Sequence, residues 1–225
     1  MTGSYAADDG YVRRLLPLVL CLAMPASAHA AVAPDRLMAS VAKELNVYWQ
    51  AEFRVVGRRY TPLPHLYSYS RRVRDACGWT ILDNASYCER DRSISYDRRL
   101  VAAAAKHGEF AAATILAHEW GHYVQDRLGW LTWAMRRHYW LGVELQADCY
   151  AGMFLRYANQ AALLKPGDLD AAMRLMASIG ENMPVKPTTP GAHGTSRQRL
   201  RWFTTGYDSG DLTTCGGVYR TLYGK

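Results

Sequence analysis

The sequence predicts an α+β chain that is predominantly helical and carries a small β region. Apolar residues recur at spacings of three and four over several long segments, whereas the β-prone segments between them are short. The chain has 225 residues, of which 49% are hydrophobic and 21% are charged. This length and composition are typical of a single globular domain with a hydrophobic core, which we expect over residues 31–225.

The helices are predicted from their apolar periodicity and from the signals at their ends. The first covers 35–55 and ends at Gly57, and a proline- and glycine-rich loop is expected over 184–194. The remaining helices are predicted over 100–106, 110–128, 138–160 and 168–179, and from a cap at Thr195 or Ser196 to Thr204. Two short strands are expected at 66–69 and 93–96.

Residues 1–30 have the pattern of a cleavable signal peptide. Arg13 and Arg14 precede an apolar stretch over 15–24, and an A-x-A cleavage pattern ends at Ala30. The stretch is shorter than the about 20 residues that a membrane-spanning helix needs. We therefore expect an exported protein, periplasmic or secreted, without a stable membrane span after cleavage. An uncleaved short anchor is the alternative.

Four cysteines follow the leader: Cys77, Cys88, Cys149 and Cys215. An even number in an exported chain predicts two disulfides, and three pairings are compatible with the sequence. If Cys77 pairs with Cys88, the bond closes a short turn-rich loop between the two strands. Cys149 and Cys215 would then tie a central helix to the C-terminal segment.

The formal charge is +7 and the pI is about 9.2, but the basic residues are spread over the whole chain. A nucleic-acid-binding protein more often gathers them on one element with aromatic residues between them. We therefore expect solvated surface charge and no nucleic-acid partner. Weak attraction to anionic surfaces of the cell envelope is the open alternative.

The segment from His118 to His122 is an HExxH motif inside the helix predicted over 110–128. A spacing of four puts both imidazoles on one helical face, where they can bind one metal ion. Glu119 is rotated by about 100° from His118, so it can flank the metal without binding it. There it could take a proton from metal-bound water. The motif predicts a catalytic site with one Zn²⁺ per chain, whereas two surface histidines on an alanine-rich helix are the alternative.

A catalytic zinc needs a third protein ligand and an open position. Glu144 on the next predicted helix is the candidate. Asp148 lies four residues later on the same face, where it can accept the second ring N–H of a ligating histidine, with His118 as the favoured donor. Apolar neighbours indicate that this helix is buried, and buried carboxylates need a partner. An ordinary solvated helix face is the alternative.

His193 is the remaining candidate for a catalytic role. It lies in a loop just before the last predicted helix, where its ring could stabilise the oxyanion of a tetrahedral intermediate. A fourth metal ligand and an ordinary loop histidine are the alternatives. The other histidines outside the leader are expected to be surface or structural residues: His65, His107 and His138.

Several blocks of sequence, taken in order, resemble the bacterial neutral zinc metallopeptidases (YpfJ-like, gluzincin-type). The blocks are Cys77-Gly78, Tyr87-Cys88, 94–97, 118–125, 144–152, 193–199 and Trp202-Phe203. The resemblance implies a zincin-like metallopeptidase core in which Glu144, not another histidine, is the third ligand and Asp148 supports a ligand. The segment between Gly78 and Tyr87 departs from the family, because it lacks the family's glycine-proline character.

These features together predict a zinc-dependent endopeptidase that hydrolyses peptide or protein substrates, with Glu119 as general base. Two alternatives stay open. One is an envelope binding or chaperone-like protein with a structural zinc site, for which four protein ligands, including His193, would be expected. The other is a metal-dependent amidase acting on cell-wall peptides.

Overall fold

The computed structural model describes residues 33–224, so the predicted signal peptide lies outside the described residues. Within this range the chain forms eight helices and three strands. In chain order they are α1 Pro34–Val55, β1 His65–Tyr69, β2 Ala85–Cys88, β3 Ser93–Asp97, α2 Arg98–Ala105, α3 Glu109–Leu128, α4 Trp130–Met135, α5 Trp140–Gln160, α6 Asp168–Ser178, α7 Ser196–Ser209 and α8 Leu212–Tyr223. The described part contains no helix that is both long and apolar enough to cross a membrane.

Helices α3 and α5 form the centre of the molecule. Both are buried along most of their length, and they run antiparallel, because His118 contacts Asp148 whereas Gln125 contacts Val143. Gly121 allows them to approach closely, since a Cβ there would lie 2.9 Å from the Cα of Ala147. The close approach brings the HExxH face of α3 against the carboxylates of α5.

Helix α7 packs against another side of α5, again through glycines. A Cβ at Gly152 would collide with the backbone of Phe203, and one at Gly206 would collide with the backbone of Cys149. The N-terminus of α7 is fixed by a capping box between Thr195 and Gln198, as the predicted cap at this position requires. Helix α7 therefore reaches the HExxH region with its first turns.

The three strands form one sheet in the order β1-β3-β2, with β3 parallel to β1 and antiparallel to β2. Strand β2 is an edge strand that the sequence analysis treated as part of a loop. Its four residues carry little apolar alternation, so its conformation depends on pairing with β3. This edge lies beside α3.

The structure contains the disulfides Cys77–Cys88 and Cys149–Cys215. The first joins the loop after β1 to strand β2, and the second joins α5 to α8. Helix α8 was not predicted, because Gly216 and Gly217 lower its intrinsic helix propensity. The buried residue Tyr219 and the Cys149–Cys215 bond hold it against α5.

Two predicted helix boundaries need correction. The helix expected from residue 138 begins at Trp140, because His138 has a φ of 58° and turns the chain between α4 and α5. The helix expected to reach Thr204 is α7, which continues to Ser209 and ends at Gly210, a residue with a φ of 60°. Neither correction moves a candidate site residue.

Candidate metal centre

His118, His122 and Glu144 meet at the interface between α3 and α5. One potential ligand atom from each lies within 4.8 Å of the others. His118 Nε2 is 3.3 Å from one Glu144 oxygen, and His122 Nε2 is 3.5 Å from the other. The three side chains are largely shielded from solvent, with 10%, 12% and 19% of their surfaces exposed.

These separations suit a tetrahedral zinc ion. With bonds of about 2.0–2.2 Å, ligand atoms at a tetrahedral angle lie about 3.3–3.5 Å apart. The two imidazole–carboxylate distances, one to each Glu144 oxygen, fall in this range, and the three donors lie within 4.8 Å of one another. Two imidazoles and one carboxylate are also a donor set that zinc accepts in catalytic sites.

The Nδ1 atom of His118 is held by a buried ion pair. It lies 2.8 Å from Asp148 Oδ1, and because a carboxylate can only accept, Nδ1 carries a proton, which leaves Nε2 as the atom that a metal ion can bind. Arg199 donates to both oxygens of Asp148, at 2.7 and 3.0 Å. Asp148 is fully buried and Arg199 is 3% exposed. The sequence analysis gave Arg199 no role.

The Nδ1 atom of His122 is held by a neutral network instead. It lies 3.0 Å from Gln125 Oε1. The Gln125 amide donates to the Val143 carbonyl at 2.7 Å and to Gln146 Oε1 at 3.0 Å, which turns its own oxygen toward the ring. The His122 Nε2 atom therefore also points toward Glu144. The sequence analysis did not assign Gln125, although its position one turn after His122 is a usable signal.

The electrostatics of the metal-free group match the binding of a cation. Burial lowers the pKa of His118, but its hydrogen bonds to Asp148 and Glu144 more than offset burial and raise the pKa to about 10. Burial also raises the pKa of Glu144, yet the charges of His122 and His118 hold it well below its ordinary value. A metal ion bound here would take the place of the His118 Nε2 proton.

Glu119 lies in the same cleft but is oriented by the sheet. Its Oε2 atom accepts the backbone N–H of Tyr87 at 2.8 Å, and the residue is 8% exposed. Tyr87 belongs to the edge strand β2, so the unpredicted strand positions the glutamate. Its other carboxylate oxygen is left for a proton from water or substrate.

His193 lies on the exposed rim of the cleft, close enough to Glu144 to help lower the pKa of that carboxyl group. Its loop is tied down by Glu181, whose carboxylate accepts the backbone N–H groups of His193 at 2.9 Å and of Gly194 at 3.3 Å. The compact metal-binding group among the described residues has three members and does not include His193. The ring is therefore placed beside the group, on its solvent side.

Cavities lie on both sides of the metal-binding group. One, of about 460 Å³, contains Glu119, His193 and Arg199 in its wall. The other, of about 560 Å³, lies toward α4. Both include Tyr87, His122 and Glu144, so they are two lobes of a cleft that adjoin at these residues, and His118 lines the first lobe alone.

The fold and the site define a helical protein with a buried His-His-Glu group and a second glutamate in an open cleft. Comparison with known proteins agrees with this class. A family model described as "Putative neutral zinc metallopeptidase" matches residues 23–218. The chain therefore belongs to the neutral zinc metallopeptidase family, as the sequence resemblance indicated.

Two curated relatives illustrate the similarity. The "Uncharacterized protein YpfJ" of Escherichia coli (strain K12) is 31% identical over 196 residues, which cover 77% of this chain and 68% of the relative. The "Uncharacterized protein Rv2575" of Mycobacterium tuberculosis (strain H37Rv) is 30% identical over 179 residues, which cover 68% of this chain and 61% of the relative. No solved structure matches the chain.

Proposed function

We propose that the chain is a zinc-dependent endopeptidase with a zincin-like core, in which His118, His122 and Glu144 hold one Zn²⁺. The observation that carries this proposal is the spacing of their three donor atoms, with the Glu119 carboxylate in the same cleft. A structural zinc site would need a fourth protein ligand. The three-membered group among the described residues instead favours a catalytic site with an open position.

Glu119 is the general base in this proposal. A zinc ion in the site supplies the positive charge that activates a water and polarises the scissile carbonyl. Glu119 takes the proton of the attacking water and passes it to the leaving amine. The Tyr87 N–H bond to Oε2 keeps the carboxylate in position during both transfers. Asp148 and Gln125 keep the two histidine rings oriented, so that each Nε2 remains available for the metal.

His193 is proposed to stabilise the oxyanion that develops on the carbonyl. It lies on the cleft rim outside the group of three donors, and Glu181 holds its backbone there. A ring N–H that donates to the developing charge lowers the barrier more than it strengthens substrate binding. Because the cleft continues on both sides of the donors, a polypeptide can extend beyond either end of the bond that is cut.

We further propose that the protein is exported and that residues 31–225 form its mature single domain. The two disulfides among the described residues support an oxidising compartment. The signal-peptide pattern over residues 1–30 supports export. Sequencing the N-terminus of the protein recovered from a cell-envelope fraction tests this, and we expect a start near Ala31.

The test of the activity combines elemental analysis with cleavage of casein by wild-type and Glu119→Gln protein. We expect one zinc in both proteins, with cleavage reduced by about 10²–10⁴-fold in the variant because the base is lost. Wild-type activity in Glu119→Gln would remove the proposed role of Glu119. A wild type that binds zinc but cleaves neither casein nor a peptide library would refute the endopeptidase.

A further inference from the structure

The cavity between the metal-binding group and α4 is larger than the one around Glu119 and has a different wall. It is bounded by the second half of α3, by α4, by the start of α5 and by the loop at Gly191 and Ala192. At about 560 Å³ it falls in the size range of pockets that bind ligands. Because His122 and Glu144 belong to its wall, it lies directly beside the metal-binding group.

The wall of this cavity is mainly apolar. Its large aliphatic and indole side chains are Leu131, Met135, Trp140 and Val143. Val143 is 5% exposed and is followed directly by the proposed ligand Glu144. An apolar side chain of a substrate that enters this space loses contact with water and gains contact with these four residues.

The charged groups at this cavity do not favour a charged occupant. Asp126 is already engaged, because its Oδ2 atom accepts from Arg92 Nε at 3.0 Å and from the Tyr87 hydroxyl at 3.1 Å. Glu89 and Arg136 are exposed on the rim and carry opposite charges. A charged substrate side chain would therefore be desolvated against the apolar wall without a dedicated partner.

We propose that this cavity, the α4 pocket, is a specificity subsite that binds a bulky aliphatic or aromatic side chain, such as that of Leu, Met or Phe. This inference rests on the proposed function, because it assigns the residue on one side of the scissile bond. Thr132 controls the size of the α4 pocket. It is exposed on α4 and lines the pocket, so a larger side chain there can occupy the space with little disturbance of the core.

The first test is cleavage of a peptide library, with products identified by mass spectrometry. In the wild type we expect bulky apolar residues to be enriched at a position on one side of the cut. In Thr132→Trp that enrichment is lost, and kcat/KM for the best peptide falls by about 10–100-fold, while preferences on the other side persist. Arg137→Trp, an equally bulky change just after α4 that lies outside the pocket wall, is the control and should retain the wild-type pattern.

A charge variant sharpens the test. Met135 is only partly buried, so a lysine at this position can keep its ammonium group near the rim. Met135→Lys should shift the preference on the same side of the cut toward Asp and Glu. Cleavage patterns that are identical in wild type, Thr132→Trp and Met135→Lys would overturn the proposed subsite while leaving the endopeptidase intact.

Measuring the binding of inhibitors tests the subsite independently of peptide cleavage. The probes are phosphinic tripeptides that carry Gly on both sides of the phosphinate, or Leu on one side and Gly on the other. With zinc-loaded wild type, Leu on one particular side should tighten binding by about 10–100-fold, and Thr132→Trp should abolish only that gain. This result without any library cleavage would refute the proposed activity but retain the pocket. A Leu gain on neither side, or one that Thr132→Trp leaves unchanged, would overturn the pocket.

Discussion

His118 and His122 lie one turn apart on the same helix, yet their rings are supported in opposite ways. His118 donates to Asp148, a fully buried carboxylate that is paired with the buried Arg199. His122 donates to the neutral amide of Gln125. Both arrangements fix the tautomer that leaves Nε2 free. Only the first adds charge, so the fold depends more strongly on the support of His118 than on that of His122.

From this difference we infer that one side of the proposed metal centre supports both a ligand ring and the fold. The Asp148–Arg199 pair joins α5 to α7, and removing one partner leaves an uncompensated buried charge. The Gln125 network joins α3 to α5 through ordinary hydrogen bonds, whose loss leaves unpaired neutral groups. Variants on the His118 side should therefore cost more stability than variants on the His122 side.

The largest effect is expected for Asp148→Asn. Loss of the negative charge leaves the buried Arg199 without its counter-charge, so the free energy of unfolding of the metal-free protein should fall by about 3–5 kcal/mol. Zinc affinity should fall by about 10–100-fold, because the His118 ring loses its charged acceptor. Urea denaturation and competition with a zinc indicator measure the two effects.

A double variant separates these two consequences of Asp148. Replacing Asp148 by Leu together with Arg199 by Met removes both charges, which should restore much of the stability. Zinc affinity should remain low, since leucine at position 148 offers the His118 ring no acceptor. Undiminished stability in the Asp148→Asn single variant would contradict the structural part of this assignment.

A smaller effect is expected on the other side, for Gln125→Leu. The substitution removes the acceptor of the His122 ring N–H and the amide donor to Val143 and Gln146, so stability should fall by about 1–3 kcal/mol. We expect zinc affinity to fall by about 10-fold. The matched variant Gln125→Glu keeps an acceptor for His122 and should retain more zinc affinity than Gln125→Leu. Equal losses at Gln125 and Asp148 would erase the distinction between the two sides.

The last expected effect is a dependence of stability on pH in the metal-free protein. The pKa of His118 is raised from 6.5 to about 10, so its protonation stabilises the fold fully below about pH 6.5. That contribution is lost as the pH rises toward 10. Unfolding in the presence of a chelator should show this loss, and Asp148→Asn should flatten it. A His118 NMR resonance that titrates near 6.5 in wild-type metal-free protein would contradict the account.

Helix periodicity and motif spacing predicted most of the fold around the centre. The spacing of four between His118 and His122, and again between Glu144 and Asp148, depends only on helical geometry, and the structure brings the four side chains together. Such local regularities can be read without knowing the tertiary contacts. The three-stranded sheet was predicted only in part, because β2 owes its conformation to β3.

The buried position of Arg199 was not predicted from local sequence patterns. In the sequence it was one of 27 basic residues, and its burial follows from the close packing of α7 on α5. A signal existed, because Arg199 falls on the apolar face of its helix, at spacings of three, four and seven from Trp202, Phe203 and Gly206. An arginine on such a face needs a buried acid. The role of Tyr87 had no comparable signal, since it acts through its backbone N–H.

The most direct test of the metal centre is anomalous diffraction at the zinc edge from crystals of the zinc-loaded protein. The account predicts one strong peak between α3 and α5, about 2.0–2.2 Å from His118 Nε2, His122 Nε2 and a Glu144 oxygen, with a fourth position not occupied by a protein side chain. A peak elsewhere in the molecule would contradict it. So would a fourth protein ligand that closes the coordination of the ion.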